Sequence, residues 1–186
     1  MLFRSTFGYR PTHGDLRCAG VKEAAGSLDT LGLFARSVED IALYRDVLTR
    51  SAPVAITAPA KPLRIGFCRT HFWPQLEAHT QKCLEGTAQD LQRAGAQVEE
   101  VELHDDFKGI EQAHRWVSSF EFSRNFTWEV ENYWEKISET LRNNRLKDGL
   151  SCTFERYREA RGQIEHCRAL LDPVFDRYDV LLTADR

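Results

Sequence analysis

Two short apolar runs, LRIGFC at residues 63–68 and QVEEVEL at 97–103, flank a stretch in which Leu84, Ala88 and Leu91 recur at helical spacing and stop before Gly95. Strand, amphipathic helix, strand in that order closes on itself as a crossover unit with two parallel strands. A third run, YDVLLT at 178–183, has the look of a buried strand and predicts one over 179–183. Before it, Tyr157, Ala160, Ile164, Cys167, Leu171 and Val174 mark a long helix over about 153–171, with Pro173 positioned to kink or end it. These elements predict an α/β fold: a mixed sheet flanked by helices, in which 63–68, 97–103 and 179–183 are neighbouring strands and helices near 79–94 and 153–171 pack on them.

The first fifty residues read differently. Residues 5–35 are rich in Gly, Ser, Thr and Pro with short apolar pieces between, which predicts an ordered loop whose turns join short strands. At Ser37 a capping residue appears, with Asp40 three positions on, and Val38, Ile41, Tyr44 and Leu48 follow at helical spacing. A helix over 38–49 is expected. SAPVAITAPAKP, residues 51–62, then carries three of the six prolines and predicts a surface connection. At 186 residues the chain suits a single domain, divided as loop and helix over 1–50, connection over 51–62 and α/β remainder over 63–186.

Charge and cysteine usage narrow the function. Lys plus Arg at 25 against Asp plus Glu at 28 gives a net charge of −3 with both signs interspersed, so no nucleic-acid-binding face is expected. No run of eighteen apolar residues is present, which argues against a membrane span. The five cysteines are an odd number, widely spaced and without a C-x-x-C pair, and point to a reducing, cytoplasmic setting. Cys68 ends an apolar strand, and Cys83 and Cys167 lie on or beside apolar helix faces, so all three are expected to be buried.

The chemistry is harder to find. There is no G-x-S-x-G elbow, G-x-G-x-x-G, Walker loop or H-E-x-x-H. The six histidines fall at no metal-ligand spacing; His104-Asp105-Asp106 offers three donor groups but reads more simply as a polar turn after a strand, and no metal or cofactor is expected. Trp116, Phe120, Phe122, Phe126, Trp128, Tyr133 and Trp134 lie among mixed charges at irregular helical spacing. They are core, or some of them, with Trp116, Phe120 and Trp128 as candidates, line a substrate pocket.

Four short motifs are more specific. GYRPTHG at 8–14, AGV at 19–21, GSLDTLG at 26–32 and ARSVEDIALYRDVL at 35–48 together resemble, in order and spacing, the amidase signature family of serine hydrolases. The resemblance is sharp over residues 8–50 and architectural beyond them. It implies an α/β/α layered fold and hydrolysis of carboxamide bonds by a Ser, Ser, Lys triad, in which a lysine is the base, a second serine relays the proton and backbone N–H groups of a Gly-rich loop hold the oxyanion. The family's nucleophile lies in a Gly-Gly-Ser stretch ahead of the GYRPT-like segment. Here the residues before Gly8 are MLFRSTF, and Ser5 stands without glycine neighbours.

The expectation is therefore a partial amidase-like domain that starts after the catalytic centre, stops short of the family's usual end, and is without hydrolytic activity alone. Ser27, Asp29 and Thr30 are expected to support a neighbouring active-site loop, since Gly26 and Gly32 permit tight turns and those three side chains can satisfy backbone donors. A small amide is the expected partner only if the catalytic segment is supplied. Two alternatives remain open: a hydrolase that uses other residues, such as Ser27, Asp29 and His13, and a module for small-molecule or protein binding. Uncovered strand edges and apolar faces predict a homo-oligomer, through the segment from Leu2 to Tyr9 and the aromatic helices around Trp116 to Trp134.

Overall fold

A computed structural model describes residues 6–184; Leu2 and Ser5, named above, lie outside them. In chain order the elements are β1 (Phe7–Tyr9), β2 (Leu33–Ala35), α1 (Val38–Thr49), β3 (Arg64–Cys68), α2 (Ala78–Arg93), β4 (Gln97–Val101), α3 (Ile110–Asn125), α4 (Thr127–Tyr133), α5 (Glu139–Leu141), α6 (Lys147–Ser151), α7 (Phe154–Ala169), α8 (Asp172–Arg177) and β5 (Val180–Leu182). A π-helical turn, Arg142–Leu146, joins α5 to α6. The chain divides into two units, residues 1–58 with 115–157 and residues 59–114 with 158–186.

The second of these units brings the three expected strands together in one sheet, in the order β4-β3-β5, with the expected parallel β3–β4 pair and β5 parallel as well. Ile65 pairs with Val98 on one side of β3 and with Val180 on the other, both in parallel. As the central strand, β3 is buried on both faces, and Ile65, Gly66, Phe67 and Cys68 are all inaccessible. Burial of a side chain such as Ile65 or Phe67 is worth about 1.5–3 kcal/mol, which is why the continuous apolar run marks this strand. Arg64 locks β5 to it: Asp179 Oδ2 accepts the Arg64 backbone N–H at 2.8 Å, Asp179 Oδ1 accepts from Nη2 at 2.7 Å, and the Asp179 N–H donates to Arg64 O at 2.8 Å.

Helix α2 stops where expected. Gly95 takes φ +98°, which an L side chain resists, and lets its N–H reach Gln92 O at 3.0 Å while the Ala96 N–H reaches Leu91 O at 3.0 Å. Its inward residue is Ala88, whereas Cys83, expected to be buried, is exposed on the opposite side. Helix α7 ends at Ala169, and Pro173, rather than kinking it, stands in the first turn of α8, where its missing N–H costs nothing. Ala160, Ile164 and Cys167 form its buried stripe.

In the first unit, β1 and β2 are antiparallel, with Phe7 opposite Ala35 and Tyr9 opposite Leu33. The expected ordered loop runs between them. Helix α1 has the expected bounds, and the Ser37 hydroxyl accepts the Asp40 N–H at 3.0 Å. Its apolar stripe is not covered, however: only Ile41 is buried, while Val38, Tyr44 and Leu48 stand about half exposed together with Leu43 and Val47. Residues 51–62 are exposed throughout, as a surface connection should be. The core of this unit comes from Leu16, Ala25, Ile41, Val117, Phe120, Phe122, Leu146 and Cys152. Among the described residues no helix is long and apolar enough to cross a membrane.

Candidate functional site

The GSLDTLG segment folds as a turn held by hydrogen bonds at Gly26, Ser27, Leu28 and Asp29. The N–H groups of Leu28 and Asp29 both donate to Ala25 O at 2.9 Å. The Asp29 carboxylate curls back, and its Oδ2 accepts the N–H groups of Ala24 at 2.6 Å and Ala25 at 2.8 Å. Such a local carboxylate clamp is the reason an aspartate suits a tight turn.

Two side chains of the GYRPTHG segment hold the turn's carbonyls. Arg10 Nη2 donates to Leu28 O at 3.1 Å, and His13 Nε2 lies 2.8 Å from Gly26 O, so that nitrogen carries the proton, since a carbonyl can only accept. These two motifs, eleven residues apart in the sequence, are thus one hydrogen-bonded assembly.

The third support comes from the far side of the chain. Glu121, on α3, takes both donors of Ser27: the backbone N–H reaches Oε2 at 2.9 Å and the hydroxyl donates to Oε1 at 2.6 Å. Tyr157, at the start of α7, donates its hydroxyl to the same Oε1 at 2.8 Å. A carboxylate that accepts three short bonds is a strong anchor, because each is charge-assisted. Lys22, just before the turn, pairs with Glu129 on α4 and lies 4.5 Å from the ring centroid of Phe126.

Ser27, Asp29 and His13 each have a committed partner, and none of these partners is another member of the three. The Ser27 hydroxyl hydrogen points to a carboxylate rather than to an imidazole. Thr30 is half-buried in the same turn. Arg145, on the π-helical turn, is nearby in electrostatic terms. Burial pushes its pKa down and the Asp29 charge partly restores it. Its Nη2 donates to Ser118 O at 3.3 Å, its guanidinium lies over Phe122 at 4.3 Å, and its Nε is buried without a partner.

The aromatic candidates occupy three different settings. Phe120 is buried, stacked on Tyr157 at 4.3 Å, and the Arg124 guanidinium also lies over its ring. Trp116 is half-buried with Arg156 over its ring at 4.7 Å. Trp128 is 60% exposed and meets Tyr133 edge to face at 5.1 Å. The His104-Asp105-Asp106 turn is a polar network: Asp106 Oδ2 lies 2.8 Å from His166 Nε2 and 3.3 Å from His104 Nδ1. Among the described residues no three metal-binding side chains converge on a point that could hold an ion.

Glu121 and Tyr157 are the residues that sequence reading missed. Each sits at a helical position where a charged or amphipathic side chain is ordinary, 94 and 130 positions from Ser27, and only a pairing across the chain reveals them.

Comparison with known proteins identifies a family and relatives of the chain. The family model described as Amidase matches residues 2–184. The 2-amino-5-chloromuconic acid deaminase of Comamonas testosteroni is 27% identical over 180 residues, which is 95% of this chain and 39% of that protein. The indoleacetamide hydrolase of Allorhizobium ampelinum is 37% identical over 78 residues, 42% of this chain and 17% of that one. Among solved structures, a crystal structure of an amidase superposes with a TM-score of 0.84 at 23% identity and covers 96% of this chain and 40% of its own. The chain thus spans about two fifths, or less, of the proteins it matches.

Proposed function

The chain belongs to the amidase family, and from that premise we propose that it supplies the supporting part of an amide C–N hydrolase, with the nucleophile, relay serine and lysine provided by polypeptide beyond the motifs matched here. The observation that carries this reading is the state of Ser27. Its hydroxyl and N–H are both spent on Glu121, and the only imidazole at the turn, that of His13, is spent on Gly26 O. Such a turn is built to stay still. A rigid backbone beside a catalytic loop contributes by preorganisation: donors that are fixed before reaction need no rearrangement as charge develops on the substrate oxygen. Ser27, Asp29 and Thr30 are then supporting residues, and the chain alone turns over no amide.

The uncovered face of α1 supports the same reading. Leu43, Tyr44, Val47 and Leu48 are each more than half exposed, as are Phe7 and Phe34 on the adjoining strands, which is far more apolar surface than a helix in water keeps without a partner. In this proposal the nucleophile-bearing polypeptide covers it, and a second copy of the chain does so when that polypeptide is absent. The exposed rings of Trp128 and Tyr133 add to the homo-oligomeric contact. All five cysteines are free thiols, which fits a reducing, cytoplasmic compartment.

The test is an assay of the chain against aliphatic and aryl carboxamides, alone and with the family's nucleophile-bearing segment co-expressed. No release of amine above background is expected alone, together with a dimer mass by light scattering; turnover and a one-to-one complex are expected on complementation. Turnover by the chain alone that disappears in Ser27→Ala would overturn the proposal in favour of a hydrolase that uses its own residues.

A further inference from the structure

The signature turn closes on itself through local bonds. The N–H groups of Leu28 and Asp29 end on Ala25 O, and those of Ala24 and Ala25 end on Asp29 Oδ2. Bonds of that range give a turn its shape. They leave its direction open, because all of them lie between residues 24 and 29. Direction comes from groups outside the turn. Arg10 and His13, from the loop before it, take two of its carbonyls, and Glu121, from α3, takes both donors of Ser27.

Glu121 leaves Ser27 little freedom. The N–H at 2.9 Å and the hydroxyl at 2.6 Å end on the two oxygens of one planar group, so backbone and side chain of the serine are fixed together. The carboxylate must itself be held, and Tyr157 holds it, with a hydroxyl that donates to Oε1 at 2.8 Å. The ring that carries this hydroxyl is stacked on Phe120, centroids 4.3 Å apart and 16° from parallel, and Phe120 is buried. Neighbouring residues of α3 thus grip the tyrosine by its ring and by its hydroxyl. Neither Glu121 nor Tyr157 lies in any of the four motifs, which end at residue 48.

On the reading of the chain as the supporting part of an amidase, we propose that Glu121 and Tyr157 are positioning residues of amide hydrolysis. The tyrosine fixes the carboxylate, the carboxylate aims the signature turn, and the backbone of the turn sets the catalytic loop against it. Loss of this aim has a distinctive kinetic effect. A turn that keeps its shape but swings misaligns groups that act only in the transition state, which lowers kcat and leaves KM in place. A misplacement of about 1 Å can cost about a hundredfold in rate.

The test uses the 186-residue chain in complex with the co-expressed nucleophile-bearing segment and phenylacetamide as substrate. Tyr157→Phe keeps the stacked ring and removes only the hydroxyl, while Glu121→Gln keeps the size and puts a donor where an acceptor is needed. Kinetics are measured at a temperature where circular dichroism shows each variant folded and light scattering shows it one-to-one. Each substitution is expected to lower kcat about tenfold with KM within about twofold. In a Ser27→Ala background, Tyr157→Phe should add little, since residues that act through one another are not additive. Should Glu121→Gln fail to fold, Tyr157→Phe decides alone. Unchanged kcat, a loss carried by KM, or losses that add in full to that of Ser27→Ala would each overturn the positioning role and leave the amidase reading standing. No turnover by the parent complex would overturn that reading, and the positioning role with it.

Discussion

Ser27 gives both of its donors to one carboxylate, that of Glu121, 94 residues further along the chain. The pair ties the signature turn to α3, and Tyr157 shares the same acceptor oxygen. Glu121→Gln keeps the shape but turns half of the acceptor into an NH₂ group that faces a donor. We expect a loss of about 1–3 kcal/mol in urea unfolding, and a marked rise in the exchange rate of the Ser27 amide hydrogen. Tyr157→Phe removes one of the three bonds and should cost about 1 kcal/mol. An unchanged Ser27 exchange rate in Glu121→Gln would show that the turn holds itself without α3.

Gly149 gives a second prediction, because it lets α6 approach α3 closely. A Cβ built there would lie 2.0 Å from Ser119 O and 2.7 Å from Ser119 C, both backbone atoms that cannot swing aside. Gly149→Ala must push the two helices apart and should lower stability by about 3 kcal/mol or more. Gly162, inside α7, is the control: nothing lies within 4 Å of its built Cβ, and Gly162→Ala should raise stability by roughly 0.5–1 kcal/mol through helix propensity. Thermal melts of the two variants should move in opposite directions.

The parallel pairing of β3 with β4 was legible because β3 is a continuous apolar run and α2 ends at a glycine, both local signals with one structural meaning. The bounds of α1 were legible from Ser37 for the same reason. Which face of α1 would be covered was not, since periodicity reports that a stripe exists and not what packs on it; Val38, Tyr44 and Leu48 are left open. The strand expected to run to Leu103 stops at Val101, where pairing with β3 ends at Cys68. At the candidate site, the turn chemistry of Asp29 followed from its type, whereas Glu121 could be found only by folding the chain, because a glutamate on a helix carries no mark of its partner.

The Arg64–Asp179 pair predicts how the sheet responds to acid. The Arg64 side-chain bond, with the Arg64 backbone N–H beside it, holds the Asp179 carboxyl below its ordinary value of 3.8. A carboxylate with a depressed pKa contributes stability that is fully present above the unfolded value, and this contribution disappears as pH falls below it through the folded one. The urea midpoint should therefore drop below about pH 4 in the parent. Asp179→Asn should start lower at pH 7 and lose less across that window, so that the two curves converge in acid. Parallel curves would mean that Asp179 does not carry this linkage.

Thiol chemistry tests the burial pattern directly. Cys83 is exposed on the outer side of α2, Cys18 is half-buried, and Cys68, Cys152 and Cys167 are buried. Burial also pushes the pKa of each of the last three up, against which Arg156 and Arg124 pull that of Cys152 part of the way back. A thiol that is both covered and held protonated is a poor nucleophile. In the native protein an aromatic disulfide reagent at pH 8 should therefore label Cys83 first and Cys18 more slowly, with the other three labelled only on unfolding. Cys83→Ser should remove the fast phase and leave the rest unchanged. A fast phase that survives this substitution would mean that α2 turns a different face to solvent than the one described.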